Sequence, residues 1–120
     1  MRQYLLNREQ IESIVHITRN CQQPELFDLF TKVLEDPIYS HSIHADCLRY
    51  FLGYAEVDKD KVFQTLRQVA LLPTTNKDLV VLIIRYLIFI KPNPEYIMEV
   101  IEEMPTNRIA YIKKQLSTPP

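Results

Sequence analysis

The sequence matches itself at an offset of 36 residues. Identical residues of the segments 27–62 and 63–98 coincide under that shift at five places: Phe27 with Phe63, Val33 with Val69, Pro37 with Pro73, Arg49 with Arg85 and Tyr50 with Tyr86. The matches recur in the order of a helical segment, a proline break and a second helical segment. A period of this size is typical of stacked helical hairpins. The sequence therefore predicts an all-α fold built from short hairpins.

Glycine is nearly absent from the chain, and this excludes several other classes of protein. Gly53 is the only glycine among 120 residues. Sheet proteins need glycine in tight turns, and phosphate-binding loops need several glycines close together. P-loops, dinucleotide-binding fingerprints and nucleophile elbows are therefore ruled out.

Prolines and capping residues divide the chain into about seven segments with helical periodicity. Asn7, Asp58, Asn76 and Asn93 each stand where they can cap a helix. We expect a single domain over residues 1–120, with a capping helix at about 8–20 followed by three hairpins at about 24–56, 59–90 and 94–116. The fifth helix, which ends with the apolar run 79–90, belongs in the middle of the stack because it is apolar nearly all round. The alternative architecture is a single globular helical bundle.

This organisation resembles the α-solenoid repeat families, among which HEAT-like and tetratricopeptide-like repeats have the nearest period. The resemblance covers about residues 7–116 and rests on helix length and period. The tetratricopeptide signature includes a tryptophan, and this chain has none. What the resemblance implies is a scaffold that binds another protein, without any functional residue carried over.

Charge and composition limit the cellular compartment and the classes of partner that we expect for this chain. The chain carries 14 basic and 15 acidic residues, whereas nucleic-acid binders usually have a basic excess. No apolar run reaches the length of a membrane span, and Met1 to Gln10 lacks a signal-peptide pattern. Two cysteines make no disulfide framework. We therefore expect a cytoplasmic protein that has no cofactor and that binds neither nucleic acid nor membranes.

Arg49 and Arg85 are the candidate partner-binding residues, because they occupy the same position in successive repeats. Neighbouring helices lie on the order of 10 Å apart, so the two guanidinium groups would line one surface. Such a pair could grip an acidic peptide segment. The alternative is internal pairing with carboxylates, Asp46 for Arg49 and Glu102 or Glu103 for Arg85.

A metal site or an enzyme is the competing hypothesis from a different class. His41, His44, Asp46 and Cys47 are spaced so that they share roughly one side of a helix. Cys47 also falls in the apolar stripe, where a small core residue is expected. Ser13 and His16 lie a turn apart, with no orienting carboxylate nearby in the sequence. We assign neither a metal ligand nor a catalytic residue.

The sequence thus favours a non-catalytic protein-protein interaction module: an adaptor, a chaperone-like protein or a regulatory scaffold that binds a partner polypeptide. One alternative is a small bacterial protein of the toxin-neutralising or effector type. The other is a helical metal-binding protein or enzyme centred on His41, His44 and Cys47. A homodimer is a further expectation, because many apolar residues of the fifth helix need cover: Val80, Val81, Leu82, Ile84, Ile88 and Phe89.

Overall fold

The computed structural model of the chain describes residues 6–117, and their regular structure is entirely helical. A 3-10 turn at Pro24–Leu26 leads into the second helix, so Pro24 opens a turn rather than the α-helix itself. The seven α-helices are α1 Arg8–Thr18, α2 Phe27–Glu35, α3 His41–Tyr54, α4 Lys59–Leu71, α5 Lys77–Ile90, α6 Pro94–Glu102 and α7 Thr106–Leu116. The predicted all-α fold is confirmed.

The helices begin where the sequence predicted caps. The side chain of Asn7 accepts a hydrogen bond from the backbone N–H of Gln10, whose own side chain accepts one from the N–H of Asn7. Asp58, Asn76 and Asn93 cap α4, α5 and α6 through their side-chain oxygens. These caps satisfy N–H groups that have no partner inside their helices.

The 36-residue offset of the sequence is also an offset of the structure. Helices α3 and α5 begin and end 36 residues apart, and so do the last residues of α2 and α4. At the end of α2 the carbonyl of Val33 accepts a hydrogen bond from His44 Nε2 at 3.1 Å. The equivalent carbonyl in α4, that of Val69, accepts one from Thr75 Oγ1 at 2.7 Å. Both hairpins therefore close their first helix at the same carbonyl, with different side chains.

The helices pack in two layers. One layer consists of α1, α3, α5 and α7, which contact one another in that order. The other layer consists of α2, α4 and α6, which pack against one face of the first layer. An ion pair of 2.6 Å between Arg67 of α4 and Glu103, just after α6, joins the outer parts of the second and third hairpins. The result is a stack of hairpins with α1 at one end, and its extents are 47 × 28 × 27 Å.

Helix α5 lies in the middle of this stack, as its apolar sequence predicted. It contacts α3, α4, α6 and α7, and seven of its fourteen residues are buried. Val80, Val81 and Ile84 are covered by the chain's own helices, and Leu82 is half-buried. The exposed apolar residues of α5 are thus Ile88 and Phe89, which narrows the surface that needs a partner.

Aromatic rings fill the core of the first hairpin. Phe30 and Tyr50 stack with their centroids 4.0 Å apart, and Phe27 meets Phe51 edge-on at 5.2 Å. The hydroxyl of Tyr50 donates to the carbonyl of Gln23 at 2.6 Å, which ties the segment before α2 to α3.

Among residues 6–117, no helix combines the length and the apolarity that crossing a bilayer requires.

Candidate functional site

A groove lies between the C-terminal ends of α3 and α5, and it is the site best placed to receive a partner. Its volume is about 810 Å³, within the range of pockets that hold ligands. Asn20, which follows the end of α1, also lines the groove. Its lining residues are Asn20, Arg49, Leu52, Gly53, Ala55, Glu56, Lys59, Phe89 and Ile90.

Phe89 is the most conspicuous residue of the groove, because 75% of its surface is exposed to solvent. The next residue, Ile90, is 6% exposed and belongs to the core, so the helix itself holds the phenyl ring outward. Covering a side chain of this size is worth about 1.5–3 kcal/mol. Phe89 is therefore an exposed apolar side chain whose burial would be favourable.

The repeat places Phe89 in a recognisable row. Under the 36-residue offset, Ile17 of α1 corresponds to Gly53 of α3, and Gly53 corresponds to Phe89 of α5. Ile17 is 76% exposed, so the same outward position carries a bare apolar side chain on both sides of the glycine. The three helices belong to one layer, and this position marks its outer face.

Arg49 lies in the groove and lacks an acidic partner there. Its Nε donates to the side-chain oxygen of Asn20 at 3.0 Å. The predicted pairing with Asp46 is wrong, because that carboxylate is 3.1 Å from His16 Nδ1 and 3.7 Å from Arg19. Helix α1 packs on α3 and brings these two basic side chains to Asp46. Arg49 therefore has no ion-pair partner among residues 6–117.

Arg85 is half-buried and serves a different contact. One of its terminal nitrogens donates to the backbone carbonyl of Gln115 at 3.1 Å, near the C-terminus of α7. The alternative pairing with Glu102 or Glu103 is wrong, because Arg85 forms an ion pair with neither residue within residues 6–117 and Glu103 is paired with Arg67. Carbonyls at a helix C-terminus carry partial negative charge and attract cations. Arg85 therefore fixes α7 on α5 and does not line the groove beside Arg49.

The remaining charges give the groove a small basic excess. Lys59 lies on its rim, and neither Lys59 nor Arg49 forms an ion pair within residues 6–117. Glu56 is the single carboxylate in the lining, and its oxygen accepts from the amide of Gln22 at 3.4 Å. Two cations against one carboxylate favour an acidic ligand.

The residues of the alternative metal hypothesis, His41, His44 and Cys47, are not grouped as metal ligands in the described part of the chain. His44 is 7% exposed and its Nε2 contacts the carbonyls of Val33 and Asp36, so the ring is used in closing α2. Cys47 is fully buried in the core, and burial raises the pKa of its thiol. His41 is exposed at the start of α3. No three His, Cys, Asp or Glu side chains within residues 6–117 are placed to hold a metal ion.

Asp46 places a carboxylate beside His16, and no such carboxylate was evident from the sequence around Ser13 and His16. Its carboxylate contacts His16 Nδ1, the nitrogen that an orienting carboxylate would hold. However, no hydrogen bond joins Ser13 to His16 in the described part of the chain. Both residues are exposed on α1, and the shallow pocket that they share is otherwise lined by Glu9, Glu12 and Ile17, whose side chains cannot donate to an oxyanion. The contact therefore ties α1 to α3.

A second cavity, of about 600 Å³, lies where the turns of the first two hairpins meet. Its lining includes Tyr39, His41 and Asp78. Burial, followed by the nearby Asp36 carboxylate, raises the pKa of Tyr39 and keeps its hydroxyl protonated. The carboxylate of Asp78 accepts a hydrogen bond from Tyr111 of α7. The Asp78 carboxylate is therefore engaged within the chain, and the lining of this cavity includes neither an arginine nor a lysine.

Sequence reasoning found Arg49 and missed Lys59 and Gly53 as parts of one site. Lys59 begins α4 and reaches the groove only because α3 and α4 are folded against each other. Gly53 did carry a signal, since it is the only glycine and falls opposite Phe89 in the repeat.

Comparisons with models of protein families, with curated proteins and with solved structures find no match to this chain.

Proposed function

We propose that this chain is a non-catalytic protein-interaction module, acting as an adaptor, a chaperone-like protein or a regulatory scaffold. Its partner polypeptide occupies the groove between α3 and α5. The observation that carries the proposal is the exposure of Phe89 in a groove that is also lined by two cations, Arg49 and Lys59, neither of which forms an ion pair within residues 6–117. An exposed aromatic residue next to an arginine is the composition typical of an interface centre.

The architecture supports this reading. Stacked hairpins resembling HEAT-like and other α-solenoid repeats present one layer of helices as a continuous binding face. In this chain the layer of α1, α3, α5 and α7 carries the groove, while the apolar core behind it holds the helices in place. Arg85, through α7, supports the binding face from its far end.

The partner that fits is an acidic segment of another protein with an apolar side chain to cover Phe89. Carboxylates would pair with Arg49 and Lys59 at the rim, and the apolar side chain would pack on Phe89 and Leu52. Charge pairs at a rim act mainly on the rate of association and on specificity. We expect the phenyl contact to supply most of the affinity.

The experiment is affinity capture from native extract with four variants that keep the core intact. Phe89→Ser and Arg49→Glu alter the groove. Ile38→Ser, in the turn before α3, and Lys32→Glu, on α2, make the same chemical changes at exposed positions outside it. Circular dichroism and urea unfolding establish that all four are folded.

A partner that wild type and both controls retain, and that both groove variants lose, is the expected result. A partner retained equally by all five proteins would place the interface elsewhere and refute the groove. If the partner is a second copy of this chain, the mass in sedimentation equilibrium will rise with concentration for wild type and not for Phe89→Ser.

A further inference from the structure

Gly53 stands in an unusual place for the only glycine of the chain. It is the last residue but one of α3, inside the groove, and its backbone is helical. None of the glycines in the described residues has a positive φ. The left-handed conformations that usually require glycine therefore do not explain it.

Packing within the chain does not explain Gly53 either. A Cβ added at this position would meet the side chain of Gln22, with Nε2 at 3.8 Å and Cγ at 3.9 Å. These are ordinary van der Waals distances, so alanine fits without displacing anything. Glycine also stabilises a helix less than alanine does. The free chain thus gains nothing in stability from the missing side chain.

Where glycine serves neither conformation nor internal packing, the remaining physical use is the close approach of another molecule's backbone. We propose that Gly53 lets the main chain of a bound acidic polypeptide segment lie directly against α3. This inference rests on the proposed function and specifies it further. Gly53, Phe89, Arg49 and Lys59 all line the groove.

The arrangement defines the chemistry of the occupant. Its backbone passes over Gly53, an apolar side chain covers Phe89 and Leu52, and at least one carboxylate reaches Arg49 or Lys59. The Gln22 amide, which donates to the carbonyl of Gly53 at 2.9 Å, lies over the same spot. Being exposed, it is free to move aside or to donate to the incoming peptide backbone.

The test uses a phage-displayed library of random dodecapeptides selected on the full chain. The peptides obtained are then titrated against wild type, Gly53→Ala, Arg49→Glu and the control Ser42→Ala. Ser42 is exposed on the same helix, about 16 Å along its axis from Gly53, and lies outside the groove. We expect acidic peptides with an apolar anchor, a loss of about tenfold or more in affinity with Gly53→Ala, and no change with Ser42→Ala.

The outcomes separate this inference from the proposed function. Peptides that depend on Arg49 but bind Gly53→Ala as tightly as wild type would overturn the role of Gly53 and leave the groove as the binding site. Peptides that ignore both substitutions, a selection without acidic enrichment, or no binding peptide at all would overturn the acidic occupant. If Phe89→Ser and Arg49→Glu also retain the partner captured from extract, the groove fails as the binding site of the proposed function, independently of Gly53.

Discussion

Replacing Gly53 with alanine should stabilise the free protein, and this consequence can be measured without knowing any partner. Alanine is favoured over glycine by about 1 kcal/mol in a helix interior, and the gain is reduced near a helix end. Gly53 is one residue from the end of α3, so about 0.5–1 kcal/mol is the reasonable expectation. The new methyl group meets Gln22 at 3.8 Å and introduces no strain.

Urea unfolding followed by circular dichroism provides the assay. The midpoint should rise with the slope unchanged, because the surface exposed on unfolding is nearly the same. In thermal unfolding the shift should be roughly 2–4 °C for a domain of this size. An unchanged or lower stability of Gly53→Ala would show that glycine is needed by the fold itself, and the inferred role in binding would lose its premise.

Three further predictions concern the core. Thr75→Val should lower the free energy of unfolding by about 0.5–1.5 kcal/mol in urea, because the carbonyl of Val69 loses the Thr75 hydroxyl as a donor, although it keeps the N–H of Leu72 and the volume is conserved. Burial raises the pKa of Tyr50 to about 12, so the folded state favours the neutral phenol; ultraviolet titration should show this hydroxyl ionising late, with stability declining as the pH rises from about 10 to 12, and a Tyr50→Phe variant that keeps the same decline would contradict this. A thiol reagent should modify exposed Cys21 in the native protein and reach buried Cys47 only after unfolding, so two rapidly reacting native thiols would disprove the packing described.

Sequence alone determined the helices and their order. Helix ends depend on local features that a single sequence displays, such as the capping box of Asn7 and Gln10 or the proline after Asn93. The position of α5 in the stack could also be predicted from the sequence, because a helix that is apolar nearly all round must be covered by other helices on nearly all sides.

Only the tertiary structure decided the partners of the charged side chains. Asp46 lies one helical turn before Arg49 in the sequence, and yet it pairs with His16 and Arg19 of α1. Long side chains on a surface reach several neighbours at similar energy, so the packing of another helix settles which contact forms. The same is true of Arg85, whose partner is a backbone carbonyl of α7. Every residue has such a carbonyl, so residue types alone do not predict this contact.

The groove shows the same division. The repeat by itself put Ile17, Gly53 and Phe89 at equivalent positions, because periodicity is a property of the sequence. Tertiary packing then brought Phe89, Lys59 and Arg49 to the lining of one groove, and within residues 6–117 it left Arg49 without an ion pair, because burial and charge pairing depend on which helices meet.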